Sequence, residues 1–142
     1  MKYVVMSEEL NLNKFLTKPT LLHVIGQNVT GVTVLGSDVF VTLHKSQINV
    51  YNNESFTLSL KVNITGSNIL RGIVSCSHYN CLYAIDFKQN IYKHNLSNNI
   101  TTKWSILGKT CNGLSVTKCY NVLATLSDAK LIQEYTTDGS LI

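Results

Sequence analysis

The run Cys76-Ser77-His78-Tyr79-Asn80-Cys81 gathers the most reactive side chains in the 142-residue sequence. Two cysteines flanking a four-residue loop can face each other across a hairpin, which allows a disulfide if the register brings them together. With His78 between them they also offer three zinc ligands, but no second pair at CxxC spacing completes a tetrahedron. The third reading is plainer: Cys76 and Cys81 are reduced, small core residues, the commoner role for such a pair. Cys111 and Cys119 lie too far apart along one strand to pair with each other. Asp86 and Asp128 end apolar segments, where a carboxylate can serve a Ca²⁺ ion or a reaction, yet Asp at such turns more often bonds its own backbone. His23, His44, His78 and His94 fall on different segments, and there is no HExxH, GxSxG or P-loop. No catalytic set, metal site or cofactor is therefore expected, and the chain reads as non-enzymatic.

The elements that position these residues follow from composition. Charged residues make up only 14% of the chain, and their place is taken by 15 Asn, 13 Ser and 14 Thr. Together with abundant Val, Ile and Tyr this predicts an all-β fold. No apolar run is long enough for a membrane span. The start, Met1 to Glu9, lacks the apolar stretch of a secretory signal, so a cytoplasmic location is expected, or an extracellular one if the chain belongs to a secreted parent. Five N-glycosylation sequons, at Asn28, Asn53, Asn63, Asn95 and Asn99, gain weight only in that second case. The formal net charge is +4, but Arg71 is the only Arg and the lysines are scattered, which disfavours nucleic acid as a partner.

Self-similarity is the strongest signal. Gly31, Gly72 and Gly113 recur every 41 residues, each opening an apolar segment. Each is followed by a second one, aligned as Val39-Phe40-Val41, Cys81-Leu82-Tyr83 and Val122-Leu123-Ala124. A polar break then leads into Ile48-Asn49-Val50-Tyr51, Ile91-Tyr92-Lys93-His94 and Leu131-Ile132-Gln133-Glu134-Tyr135. A fourth strand follows in the first two copies, Phe56 to Leu60 and Ile100 to Trp104. Four short strands in about 41 residues is the spacing of a β-propeller blade. The recurrent glycine then marks a first strand with little room for a side chain. Leu22-His23-Val24-Ile25-Gly26 also matches Trp104-Ser105-Ile106-Leu107-Gly108, two repeats away. The expected organisation is a lead-in at 1–19, with a short helix capped by Ser7 and stopped by Pro19, then a propeller segment at 20–142. That segment divides into an outer strand (20–25), a blade (30–62), a second blade (70–106) and an incomplete blade (111–142).

Leu82-Tyr83-Ala84-Ile85-Asp86-Phe87-Lys88-Gln89-Asn90-Ile91-Tyr92 resembles the core of the NHL repeat, and Tyr135-Thr136-Thr137-Asp138-Gly139 is similar to the turn that ends one. Over residues 20 to 142 the chain resembles tandem NHL/YVTN-type propeller repeats in three degenerate copies. The motif's Arg is absent, with Gln47, Asn90 and Lys130 in its place, so no ligand contact through that Arg carries over. The resemblance implies a ring of six or more blades, and closed propellers need about four at least. Three blades imply either part of a longer array or two chains closing one ring, the 20–25 strand of each completing the last blade of the other.

In such an arrangement the loops entering first strands and those joining second to third strands share one face. That face would carry His44, Lys45, Arg71, Asp86, Lys88, Asn112, Asp128 and Lys130. Its mixture of both charge signs suits a protein or glycan partner. The resemblance also allows two alternatives, an RNA-binding propeller that needs a basic patch, and a propeller lyase or lactonase that needs convergent His and carboxylates.

Overall fold

The computed structural model describes residues 2–4, 24–67, 69–106 and 110–142. All regular structure among them is strand, as the composition predicts. The strands are β1 (Lys2–Val4), β2 (Val24–Gln27), β3 (Gly31–Leu35), β4 (Val39–His44), β5 (Gln47–Asn52), β6 (Leu58–Asn63), β7 (Leu70–Cys76), β8 (Cys81–Asp86), β9 (Asn90–Asn95), β10 (Ile100–Ser105), β11 (Cys111–Val116), β12 (Val122–Leu126) and β13 (Leu131–Tyr135). The helix expected after Ser7 lies outside the described residues. Of the expected outer strand at 20–25, positions 24 and 25 are described, within β2, which pairs antiparallel with β1.

The other strands form three antiparallel meanders in chain order: β3 to β6, β7 to β10 and β11 to β13. Their first strands lie in succession, β3 against β7 and β7 against β11. The middle sheet is therefore covered on both faces. Along β8 the side chains alternate between two cores, as the pleat requires. Leu82 and Ala84 pack with Val41, Leu43 and Ile48 of the first sheet, whereas Cys81, Tyr83 and Ile85 pack with Val122, Ala124 and Leu126 of the third. Every residue of β8 is buried.

The repeated glycines sit where the backbone passes close to a neighbour. A Cβ on Gly31 would lie 3.2 Å from Ile73 Cγ2 of the adjoining sheet, and one on Gly72 would lie 3.2 Å from Ile85 Cγ2 across the strand pair. On Gly113 it would meet Thr125 Oγ1 at 3.0 Å. Close approach, rather than a special backbone conformation, keeps these positions small.

Pairing from these glycines corrects the alignment of the third copy. Gly31 pairs with Leu43, Gly72 with Ile85 and Gly113 with Thr125. Phe40 pairs with Tyr51, Leu82 with His94 and Val122 with Tyr135. The counterpart of Phe40 and Leu82 is thus Val122, not Leu123, and that of Gln47 and Asn90 is Leu131, not Lys130. The turns before the second strand differ in length, spanning 36–38, 77–80 and 117–121, and bulges after Leu70 and Cys111 shift the first strands. A shift of one residue moves every side chain to the opposite face. Val122 and Ala124 therefore face the middle sheet, while Leu123 and Thr125 face away from it.

Candidate interaction edge

Backbone hydrogen bonds tie together the turns between second and third strands and the segments that enter first strands. Thr30 N–H donates to Leu43 O at 2.8 Å, Leu70 N–H to Lys45 O at 2.6 Å, Phe87 N–H to Ile69 O at 3.3 Å and Ser127 N–H to Thr110 O at 3.0 Å. The Leu70 to Lys45 bond crosses from the middle sheet to the first. Lys45 has a positive φ of 42°, Gln89 of 66° and Lys130 of 50°, each at the last bend before or beside a third strand. One edge of the molecule thereby collects Lys45, Arg71, Lys88, Asn112, Asp128 and Lys130.

Two of the residues expected on this face are turned to other work. Asp86 is fully buried. Its carboxylate accepts hydrogen bonds from the N–H of Lys88 at 2.8 Å and of Asn90 at 2.9 Å, from Asn90 Nδ2 at 3.0 Å and from the Tyr92 hydroxyl at 2.9 Å. Burial, reinforced by that hydrogen bond and by the carboxylate charge, pushes the Tyr92 phenol up to about 12. Asp86 thus builds the β8–β9 turn from inside. His44 is half-buried, with Nε2 2.9 Å from Thr42 Oγ1 on its own strand.

Asp128 stays exposed. It accepts the Thr110 N–H at 3.0 Å, and the hydrogen bonds from Thr110 hold its carboxyl below the usual range, with a smaller contribution from the Arg71 charge. Arg71 donates from Nη2 to the Cys111 carbonyl and sets its guanidinium 5.2 Å from the centre of the Phe87 ring. Because Asp86 is buried, the surface of this edge is predominantly positive rather than mixed: Lys45, Lys88 and Lys130 are exposed, against Asp128 alone among the acids expected there.

Two apolar members of the edge lie within the loops expected there, 68–71 and 86–90, but were not singled out from the sequence. Phe87 is 59% exposed and Ile69 is 51% exposed, with their backbones joined by a hydrogen bond. The signal was an aromatic residue inside a turn whose neighbours are polar, Asp86-Phe87-Lys88-Gln89.

No protein-family model matches this chain, and no curated protein matches it either.

The cysteine hairpin lies at the other end of β7 and β8. Cys76 and Cys81 are direct cross-strand partners, as the hairpin reading required, and both are buried free thiols. Burial pushes the Cys81 thiol up, away from the reactive thiolate form. His78 stacks on Tyr120 with ring centroids 3.8 Å apart and meets Tyr79 edge-on. Among the described residues no cluster of three or more His, Cys, Asp or Glu side chains is arranged to hold a metal ion, and no helix is long and apolar enough to cross a membrane. Cys111 is buried and Cys119 exposed.

Proposed function

We propose that the chain is a partial β-propeller of three successive blades, working as a non-enzymatic module that binds a protein partner through the edge just described. The three glycine-spaced copies, the row of first strands and the resemblance to NHL/YVTN-type repeats support the propeller reading. The Ile69–Phe87 pair carries the binding reading. Two exposed apolar side chains lie on loops that also carry Lys45, Arg71 and Lys88, with the Arg71 guanidinium over the Phe87 ring, and aromatic and Arg side chains are the types that dominate binding energy in interfaces. A complementary partner is an acidic segment with an apolar anchor, and this pairing favours protein over glycan. Four free cysteines suit a reducing compartment such as the cytoplasm.

Selection of a random displayed peptide library on the 142-residue chain tests this. Enriched peptides should combine Asp or Glu with an apolar residue. Phe87→Ala should weaken them about tenfold, and Lys88→Glu should lower both affinity and its salt dependence. The positive surface also favours a second reading, RNA binding. Single-stranded RNA that binds with a steep salt slope, is lost on joint substitution of Lys45, Lys88 and Lys130, and is indifferent to Phe87→Ala would replace the protein-binding reading.

A further inference from the structure

One position recurs on the third strand of every sheet. His94 pairs with Leu82 as Tyr51 pairs with Phe40 and Tyr135 with Val122. Two copies therefore place a tyrosine there, and the middle copy an imidazole. Tyrosine meets the needs of the position without ionising near neutral pH. The Tyr135 hydroxyl donates to Gln133 Oε1 at 2.7 Å, and the Tyr51 hydroxyl accepts from Asn49 Nδ2 at 3.3 Å.

The His94 side chain is 2% exposed. Side chains alternate along β9, so it shares a face with Tyr92 and Leu96, which belong to the core between the middle and first sheets. Across that core stand Val41, Ile48 and Val50. Nδ1 lies 2.8 Å from Thr101 Oγ1, whereas Nε2 is buried and has no hydrogen-bond partner among the described residues. A neutral ring tolerates one bare nitrogen, but an imidazolium carries an N–H on each and would leave one donor unmet.

No counter-charge compensates a proton there. In the first sheet Lys61 pairs with Asn49, on the face turned away, and Asp38 and Glu54 sit in exposed turns. In the middle sheet Lys103, the partner of Tyr92, shares the face of His94 and is itself positive. Lys93 and Arg71 reach to the third sheet, where they donate to Thr137 O and Cys111 O. The Asp86 carboxylate is engaged by the Tyr92 hydroxyl and the β8–β9 turn. Burial alone, with no charged neighbour contributing, holds the His94 ring below the usual imidazole range.

We propose that His94 is an acid-operated release between the first and middle sheets: mild acid protonates its imidazole, and the first sheet undocks while the middle and third stay joined. Undocking breaks the Leu70 N–H to Lys45 O bond and the Thr33 Oγ1 to Ser75 Oγ contact at 3.1 Å, which tie the two sheets at opposite ends of β7. It also divides the edge that Lys45 and Arg71 share. The released ring takes its proton at about 6.5 and the docked ring only at lower pH. Docking is therefore at full strength above about pH 6.5 and weakens as the pH falls from there toward the docked value. A ring that stays neutral while docked shifts the opening equilibrium about thirtyfold between about pH 7.5 and about pH 5. The Asp128 and Asp138 carboxyls, held below the usual range, stay ionised throughout that interval and do not mimic the effect.

The test is nuclear magnetic resonance of the 142-residue chain from about pH 7.5 to about pH 5. The His94 ring should titrate below the usual imidazole range. Amide exchange, corrected for its intrinsic pH dependence, should show protection in β4 and β5 falling about tenfold or more while β12 keeps its own. His94→Tyr, which installs the residue of the other two copies, should abolish the fall. His94→Gln, smaller and also neutral, should do the same and covers the case in which tyrosine is too large for the seam. A His94 ring that titrates in or above the usual range would overturn the proposal, as would unchanged protection in β4 and β5 at about pH 5. So would a fall that persists in a folded variant, or one that runs equally through all three sheets.

Discussion

Asp86, His44 and Leu126 hold the same place in their three sheets, at the end of the second strand, and each meets that place with different chemistry. Asp86 gathers two backbone N–H groups, the Asn90 amide and the Tyr92 hydroxyl around one buried carboxylate. Replacing it by Ala strands those donors away from water. Asp86→Ala should therefore cost about 2–4 kcal/mol, lowering the urea midpoint by about 1–2 M, while Tyr92→Phe, which removes one donor, should cost about 1 kcal/mol. A smaller loss for Asp86→Ala than for Tyr92→Phe would contradict this account. The pH dependence follows from the same contact. The native Tyr92 phenol keeps its proton to about 12, whereas an unfolded tyrosine loses its own near 10. Stability therefore falls as the pH climbs from about 10 to about 12, and Tyr92→Phe should flatten part of that fall. The tendency of Asp to bond its own turn was legible in the sequence. The depth of the site was not, since burial of Asp86 depends on the neighbouring sheets, and so the same residue also looked like part of the contact surface.

Ile48, Ile91 and Ile132 make the corresponding comparison for whole strands. They share one position on β5, β9 and β13, but only the first two are covered by a neighbouring sheet. Ile48→Ala and Ile91→Ala should each cost about 2–5 kcal/mol, and Ile132→Ala less than about 0.5 kcal/mol, measured by urea unfolding. Equal losses at all three positions would mean that the outer face of the third sheet is buried in solution. The 41-residue glycine spacing made the strands and their order legible, because backbone closeness at Gly31, Gly72 and Gly113 leaves a mark in residue type. Register in the third copy left no such mark. Val122-Leu123-Ala124 is apolar throughout, so it aligns equally well in two phases, and turn lengths that only pairing reveals decide between them.

At the scale of the molecule the sheets are graded rather than equal. The middle one is covered on both faces, and the amides of β8 and β9 should exchange about tenfold or more slowly than those of β12 and β13 under native conditions. Uniform protection across the three sheets would show that they open as one unit. Meander topology within each sheet has a kinetic consequence as well. Nearly all strand pairs join segments adjacent in sequence, so little loop-closure entropy opposes pairing, and such local contacts favour fast folding. During synthesis each sheet can pair as soon as its last strand is made, but β8 gains its second cover only when β11 and β12 arrive. For that interval Tyr83 and Ile85 face water, and the chain is at its most aggregation-prone with two sheets finished and the third unmade.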